Sequence, residues 1–133
     1  MKIVALTDEI GVSEQITAED IPAIAAAGYA VLINNRPDGE VDGQPGSAEV
    51  AVAAADAGLE YHYLPVTAQN FPGPDVEQMA KLLDDPNRRV MAFCRTGTRC
   101  ANLWVATRSQ EAREEARAHA HALGYDLAMS DAL

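Results

Sequence analysis

Apolar and polar residues alternate in blocks along the chain, and the spacing inside each block assigns it to strand or helix. Ile3-Val4-Ala5-Leu6 is a short continuous apolar run and reads as a strand, with Val12-Ser13 as a second. Thr17-Ala18-Glu19-Asp20 places an acid three residues after a threonine, a capping-box-like start. The helix it opens runs through Ile21, Ile24 and Ala27 and stops at Gly28, with Pro22 tolerated because it lies in the first turns. Tyr29-Ala30-Val31-Leu32-Ile33-Asn34 is almost wholly apolar and predicts a central strand buried on both faces. Residues 35–46 hold two prolines, three glycines and three acids, and so form a loop. Ser47-Ala48-Glu49 starts an alanine-rich helix ending at Gly58. Glu60 to Val66 alternates as a strand does, 67–74 is a loop, and Asp75 to Leu83 is an amphipathic helix with Asp75 near its start. The turn Asp84-Asp85-Pro86-Asn87 leads into Val90-Met91-Ala92-Phe93, another buried strand, which ends at Cys94. An apolar helix follows over Ala101 to Arg108, then an Ala/Glu/Arg-rich helix from Gln110 to Leu123 with a stop at Gly124, and a last turn over Asp126 to Leu133.

Strands alternate with helices and no repeat is visible. The pattern predicts an α/β fold in three layers, a four- to five-stranded, mostly parallel sheet flanked by helices, in a single domain over 1–133. That length is enough to bury a core.

Charge narrows the partners. The chain carries a net charge of −10, which argues against nucleic acid or an anionic membrane surface. There is no apolar run long enough to span a bilayer. The start, Met1 to Ala5, meets Asp8 and Glu9 at once and lacks the apolar core of a signal peptide, so a cytoplasmic location is expected. The two cysteines, Cys94 and Cys100, make no disulfide framework in that compartment, and no His/Cys spacing suggests a metal or another cofactor.

The candidate chemistry sits at residues 94–100. A strand that feeds a tight loop, which in turn opens a helix, aims backbone N–H groups and the helix dipole at one point in space. A tetrahedral oxyanion suits that point. Cys94 lies at its floor, where the same field favours thiolate over thiol. Gly97 permits a positive φ, Arg99 offers a planar fork of donors, and Arg95, Thr96, Thr98 and Cys100 complete the anion-binding loop. Taken alone, a cysteine at a strand end is also an ordinary buried side chain. An anion site in so acidic a chain needs local positive charge, which Arg36, Arg95 and Arg99 supply. Residues 35–46 directly follow a strand, where α/β sheets place ligand-facing groups, so Arg36 and Glu40 are candidate border residues; the other reading is a turn with a salt bridge.

Cys94-Arg95-Thr96-Gly97-Thr98-Arg99 resembles the active loop of the cysteine-dependent phosphatases and of the rhodanese sulfurtransferases. It has four residues between Cys and Arg where the phosphatase signature has five, and its length is similar to the rhodanese loop. Together with Asn34-Asn35-Arg36-Pro37-Asp38-Gly39-Glu40, Gly58-Leu59-Glu60-Tyr61, Leu64-Pro65-Val66 and Gly124-Tyr125-Asp126-Leu127, it resembles a bacterial phosphatase-like domain family found alone or joined to metallo-β-lactamase-type hydrolases. The resemblance covers nearly the whole chain. It implies the tyrosine/dual-specificity phosphatase fold and a functional link to such a hydrolase.

The resemblance also implies a mechanism. Cys94 attacks phosphorus and forms a phosphocysteine, which water hydrolyses, while Arg99 and the loop amides hold the equatorial oxygens. The tyrosine phosphatases take a general acid from the loop after the preceding strand. Here that loop is Thr67-Ala68-Gln69-Asn70-Phe71, with Gln69 as a border residue and no acid before Asp75; Asp75 or an acid of 38–42 is left for the task. Cys100 stands where many such enzymes have Ser or Thr, and is either a buried small residue or a resolving partner for Cys94. The alternative activities are a sulfurtransferase carrying a Cys94 persulfide and a non-catalytic anion-binding module. The expected partner is a small phosphorylated or sulfur-bearing substrate.

Overall fold

The computed structural model describes residues 1–131. Five strands form one sheet in the order β1-β2-β5-β3-β4, comprising Val4–Ala5 (β1), Ile10–Ser13 (β2), Val31–Asn34 (β3), Glu60–Tyr63 (β4) and Val90–Phe93 (β5). β2, β5, β3 and β4 run parallel, and only β1, at one edge, is antiparallel. The helices are α1 (Ile21–Ala26), α2 (Ser47–Asp56), α3 (Val76–Leu83), α4 (Thr98–Ala106), α5 (Gln110–Ala122) and α6 (Ala128–Asp131).

β3 and β5 are buried at every position, which is why they read as continuous apolar runs and not as alternating ones. Their side chains divide between two cores. Val31, Ile33, Val90 and Ala92 join Met79, Leu82, Leu103 and Val105 of α3 and α4 on one face. Leu32, Met91 and Phe93 join Ile21, Ile24, Val50 and Ala54 of α1 and α2 on the other. Each fully buried side chain of this size contributes about 1.5–3 kcal/mol relative to exposure.

The register brings the exits of four strands together. Ser13 pairs with Phe93, Phe93 with Asn34, and Asn34 with Tyr63. The segments that follow these residues therefore share one rim at the carboxyl ends of the parallel strands, where open α/β sheets hold ligands.

β1 and β3 are shorter than the apolar runs that announced them and β2 is longer, and four further boundaries differ from the sequence-based expectation. The first helix is divided into a 3-10 turn, Ala18–Asp20, and α1, because Pro22 sits at its start and supplies no N–H. Thr17 and Asp20 form the expected capping box, with Asp20 accepting from the Thr17 N–H at 2.9 Å. β4 ends at Tyr63 and not at Val66: the Leu64 N–H still reaches the Asn34 carbonyl at 2.9 Å, but the Arg36 N–H turns to Asn34 Oδ1 and the regular ladder stops. α4 begins at Thr98, three residues before the apolar run that announced it. The last turn is helical over Ala128–Asp131, and positions 132–133 of the expected turn lie outside the described residues.

Candidate active site

β5 delivers Cys94 to the rim and α4 leaves from it four residues later, so the whole loop is set by its two ends. Gly97 makes the turn with φ at +89°, a left-handed conformation that costs a residue with a Cβ about 1–2 kcal/mol. Its N–H donates to the Cys94 sulfur at 3.1 Å. Against the loop stands Tyr125, since a Cβ at position 97 would lie 3.4 Å from the Tyr125 ring and hydroxyl and 3.5 Å from the Ser13 backbone.

Cys94 is fully buried and its pKa is depressed to about 6. The largest cause is a hydrogen bond from the Cys100 thiol. Burial opposes it, and the backbone N–H groups of Cys100, Thr96 and Arg99 add to the depression. Cys100 responds in the opposite sense: burial first, then the neighbouring Cys94, push its thiol well above the ordinary value. The two shifts run in opposite directions, and Cys94 is the thiol that ionises more readily.

Arg99, in the first turn of α4, is held from two other loops. Its Nη1 donates to Glu40 Oε2 at 2.9 Å and to the Val66 carbonyl at 3.1 Å, and its Nη2 donates to Glu40 Oε1 at 2.7 Å. The fork expected to face an anion is therefore closed on its outer edge by an internal carboxylate. The Nε–H, and the second hydrogen on Nη2, have no protein partner among the described residues and remain for a ligand. Glu40 also accepts from Arg36 Nε at 2.9 Å, and Arg36 Nη1 donates to Gln15 at 3.0 Å. Arg36 is 4% exposed, so its charge is compensated inside the site. Of the two sequence readings of Arg36 and Glu40, site border or salt-bridged turn, the geometry contains both. Arg99 first, then Arg36, hold the Glu40 carboxyl below the usual range against the opposing effect of burial. Glu40 is a fixed anion and not a proton donor.

The remaining candidates are dispersed. Arg95 is exposed and its side chain makes no hydrogen bond, while its carbonyl takes the Gln15 N–H at 3.3 Å. The Thr96 and Thr98 hydroxyls bond to each other at 3.0 Å. Gln69 is exposed, and no hydrogen bond joins it to the loop. Asp75 precedes α3 and lines a small cavity with Asn35, Val66 and Met79. Asp38 is engaged in accepting from the Ser47 N–H at 2.8 Å. Sequence reasoning missed Gln15, Val66 and Tyr125 as neighbours of the loop. The available signal was position: Gln15 and Val66 follow strands whose exits share the rim. Among the described residues no group of three His, Cys, Asp or Glu side chains is placed to hold a metal ion.

The chain compares closely with known proteins. Residues 2–111 match the family described as "Beta-lactamase hydrolase-like protein, phosphatase-like domain". A beta-lactamase hydrolase-like protein of Xylella fastidiosa is 32% identical over 130 residues, which are 96% of this chain and 30% of that one. The chain thus spans under a third of that relative's length. A Neisseria meningitidis protein of known crystal structure, provisionally designated a phosphatase, is 37% identical over 96% of this chain and 92% of that one, with a TM-score of 0.82. TpbA of Pseudomonas aeruginosa, crystallised in complex with pTyr, shares the fold at 12% identity, over 98% of this chain and 88% of that one, with a TM-score of 0.60. The expected tyrosine/dual-specificity phosphatase-like architecture is what the coordinates have, and the chain belongs to the phosphatase-like domain family of the beta-lactamase hydrolase-like proteins.

Proposed function

We propose that this domain hydrolyses phosphate monoesters with good leaving groups, using Cys94 as nucleophile and Arg99 with the 94–99 loop as anion clamp. The observation that carries the reading is the ionised Cys94, with a pKa of about 6, on a floor of loop N–H groups beside Arg99. The thiolate attacks phosphorus, the ester P–O bond breaks, and the leaving oxygen departs with the bonding pair. Water then attacks the phosphocysteine, phosphate leaves, and the electron pair returns to sulfur, where the Gly97 N–H and the Cys100 thiol receive it. The free Nε edge of Arg99 and the loop amides hold the equatorial oxygens as charge shifts. Arg95, exposed on the loop, meets the part of the substrate that stays outside.

None of the three candidate acids is free for the leaving oxygen. Glu40 is held ionised between two arginines, Asp38 accepts from the Ser47 N–H, and Asp75 lines a small cavity with Asn35, Val66 and Met79. Turnover is accordingly slow, and it favours aryl phosphates, whose oxygens depart without a proton. The family match and the similarity to phosphatases favour this reading over sulfur transfer, which the short loop equally accommodates.

The test is phosphate release from an aryl phosphate by the wild type, Cys94→Ser and Arg99→Lys, run beside a thiosulfate–cyanide assay. Release that is abolished by the first variant and strongly reduced by the second supports the proposal. Thiocyanate formation without phosphate release would replace it with a Cys94 sulfurtransferase, and silence in both assays with an anion-binding module.

A further inference from the structure

We propose that Asn35 is the positioning residue that sets Arg99 relative to Cys94; the inference rests on the phosphoryl-transfer reading of the site. Asn35 is completely buried where the exits of β3, β4 and β5 meet. Its backbone N–H donates to the carbonyl of Phe93, the residue before Cys94, at 2.9 Å. Its carbonyl accepts from the Val66 N–H at 3.1 Å, and Val66 in turn gives its own carbonyl to Arg99. The Arg36 N–H, which would continue the parallel ladder to the Leu64 carbonyl, donates instead to Asn34 Oδ1 at 2.9 Å. The Asn35 side chain bridges that gap: its Nδ2 donates to the Leu64 carbonyl at 2.9 Å. One residue thus links the strand that leads into Cys94 to the segment that holds the arginine, and its amide replaces the rung that the Arg36 backbone does not supply.

The packing behind Asn35 makes that amide necessary. Asn35 Oδ1 has no protein partner among the described residues, and the side chain lines a cavity of about 10 Å³ with Pro65, Val66 and Leu103. An alanine here joins its lost volume to that cavity, leaves the buried Leu64 carbonyl unpaired, and gives the Leu64–Val66 segment room to shift. A shift of Val66 moves the anchor of Arg99, while Cys94 keeps the sulfur contacts that come from its own loop.

The test compares Asn35→Ala and the isosteric Asn35→Asp, which has no donor at neutral pH, with Ile24→Val as a stability control on the other face of the sheet. Vanadate affinity, the Arg99 Nε–H resonance in ¹⁵N-labelled protein and the pH midpoint of Cys94 alkylation are the readouts. Both Asn35 variants are expected to lose about tenfold or more in vanadate affinity and to move the Arg99 resonance toward that of a solvated arginine. The alkylation midpoint stays, and Ile24→Val changes neither affinity nor resonance. Folded Asn35 variants with wild-type affinity and resonance would overturn the proposal. If the wild type itself binds no vanadate, the phosphoryl-transfer reading fails, and the Arg99 resonance still decides the role of Asn35.

Discussion

Arg99 and Glu40 form a bidentate ion pair, with Nη2–Oε1 at 2.7 Å and Nη1–Oε2 at 2.9 Å, across 59 positions of sequence. The carboxylate occupies one edge of the guanidinium and leaves the Nε–H without a protein partner among the described residues. Glu40→Gln removes a negative charge beside the anion site and loosens the arginine at the same time. The first effect strengthens ground-state anion binding and the second weakens the transition-state clamp. Phosphate inhibition is expected to tighten several-fold while kcat falls about tenfold or more, a split that steady-state kinetics with phosphate as inhibitor measures. Parallel loss of both would show that Glu40 only maintains the fold of its loop.

Cys100 is the first cause of the low Cys94 pKa. Replacing it with alanine removes the thiol donor and should raise the alkylation midpoint by about one pH unit, whereas Cys100→Ser, with a stronger O–H donor, should leave it unchanged or lower. Alkylation against pH, with the modified residue located by mass spectrometry, checks both. A midpoint for Cys100→Ala still near 6 would assign the effect to the backbone donors.

The same shift has a consequence for stability. The folded pKa of Cys94 lies below its ordinary value of 9.0, so thiolate formation favours the folded state above that ordinary value, and the contribution is lost as pH falls through about 6. Urea unfolding of the wild type against Cys94→Ala should show the wild-type advantage at pH 9 shrinking towards pH 5. An advantage that grows on acidification would contradict an ionised Cys94.

Asn102 is fully buried and donates to the carbonyls of Thr98 and Asp126, both at 2.9 Å, while accepting from the Ser130 N–H at 3.0 Å. It fastens the 126–130 turn to the first turn of α4. Asn102→Ala strands these groups and should cost about 2–3 kcal/mol in chemical denaturation. A cost below about 0.5 kcal/mol, the range of ordinary surface changes, would mean that water takes the place of the amide.

The 94–99 loop was legible in the sequence because its geometry is local: a buried strand, a glycine able to take positive φ, and a helix follow one another within residues 90–106. What surrounds Arg99 was not. Glu40 and Val66 reach it from loops whose paths depend on the β5-β3-β4 register, and nothing in residues 35–46 or 64–67 indicates which carboxylate or carbonyl meets the arginine. The start of α4 was placed late for a related reason. Thr98 and Arg99 are polar and only partly buried, so the apolar face of the helix does not show in the sequence until Cys100 and Ala101. β4 was extended to Val66 because alternation continues across Pro65, although the ladder does not.

The compensated arginines bear on how a substrate arrives. At rest the cluster contains two guanidiniums, of Arg36 and Arg99, one carboxylate, of Glu40, and one thiolate, of Cys94. Their charges cancel, so beyond the single charge of exposed Arg95 a distant anion meets the −10 of the molecule. Encounter is uphill until the anion comes within about 10 Å, the screening distance at 0.1 M salt. Added electrolyte should therefore accelerate capture of an anionic substrate, opposite to the behaviour of a basic, electrostatically steered enzyme.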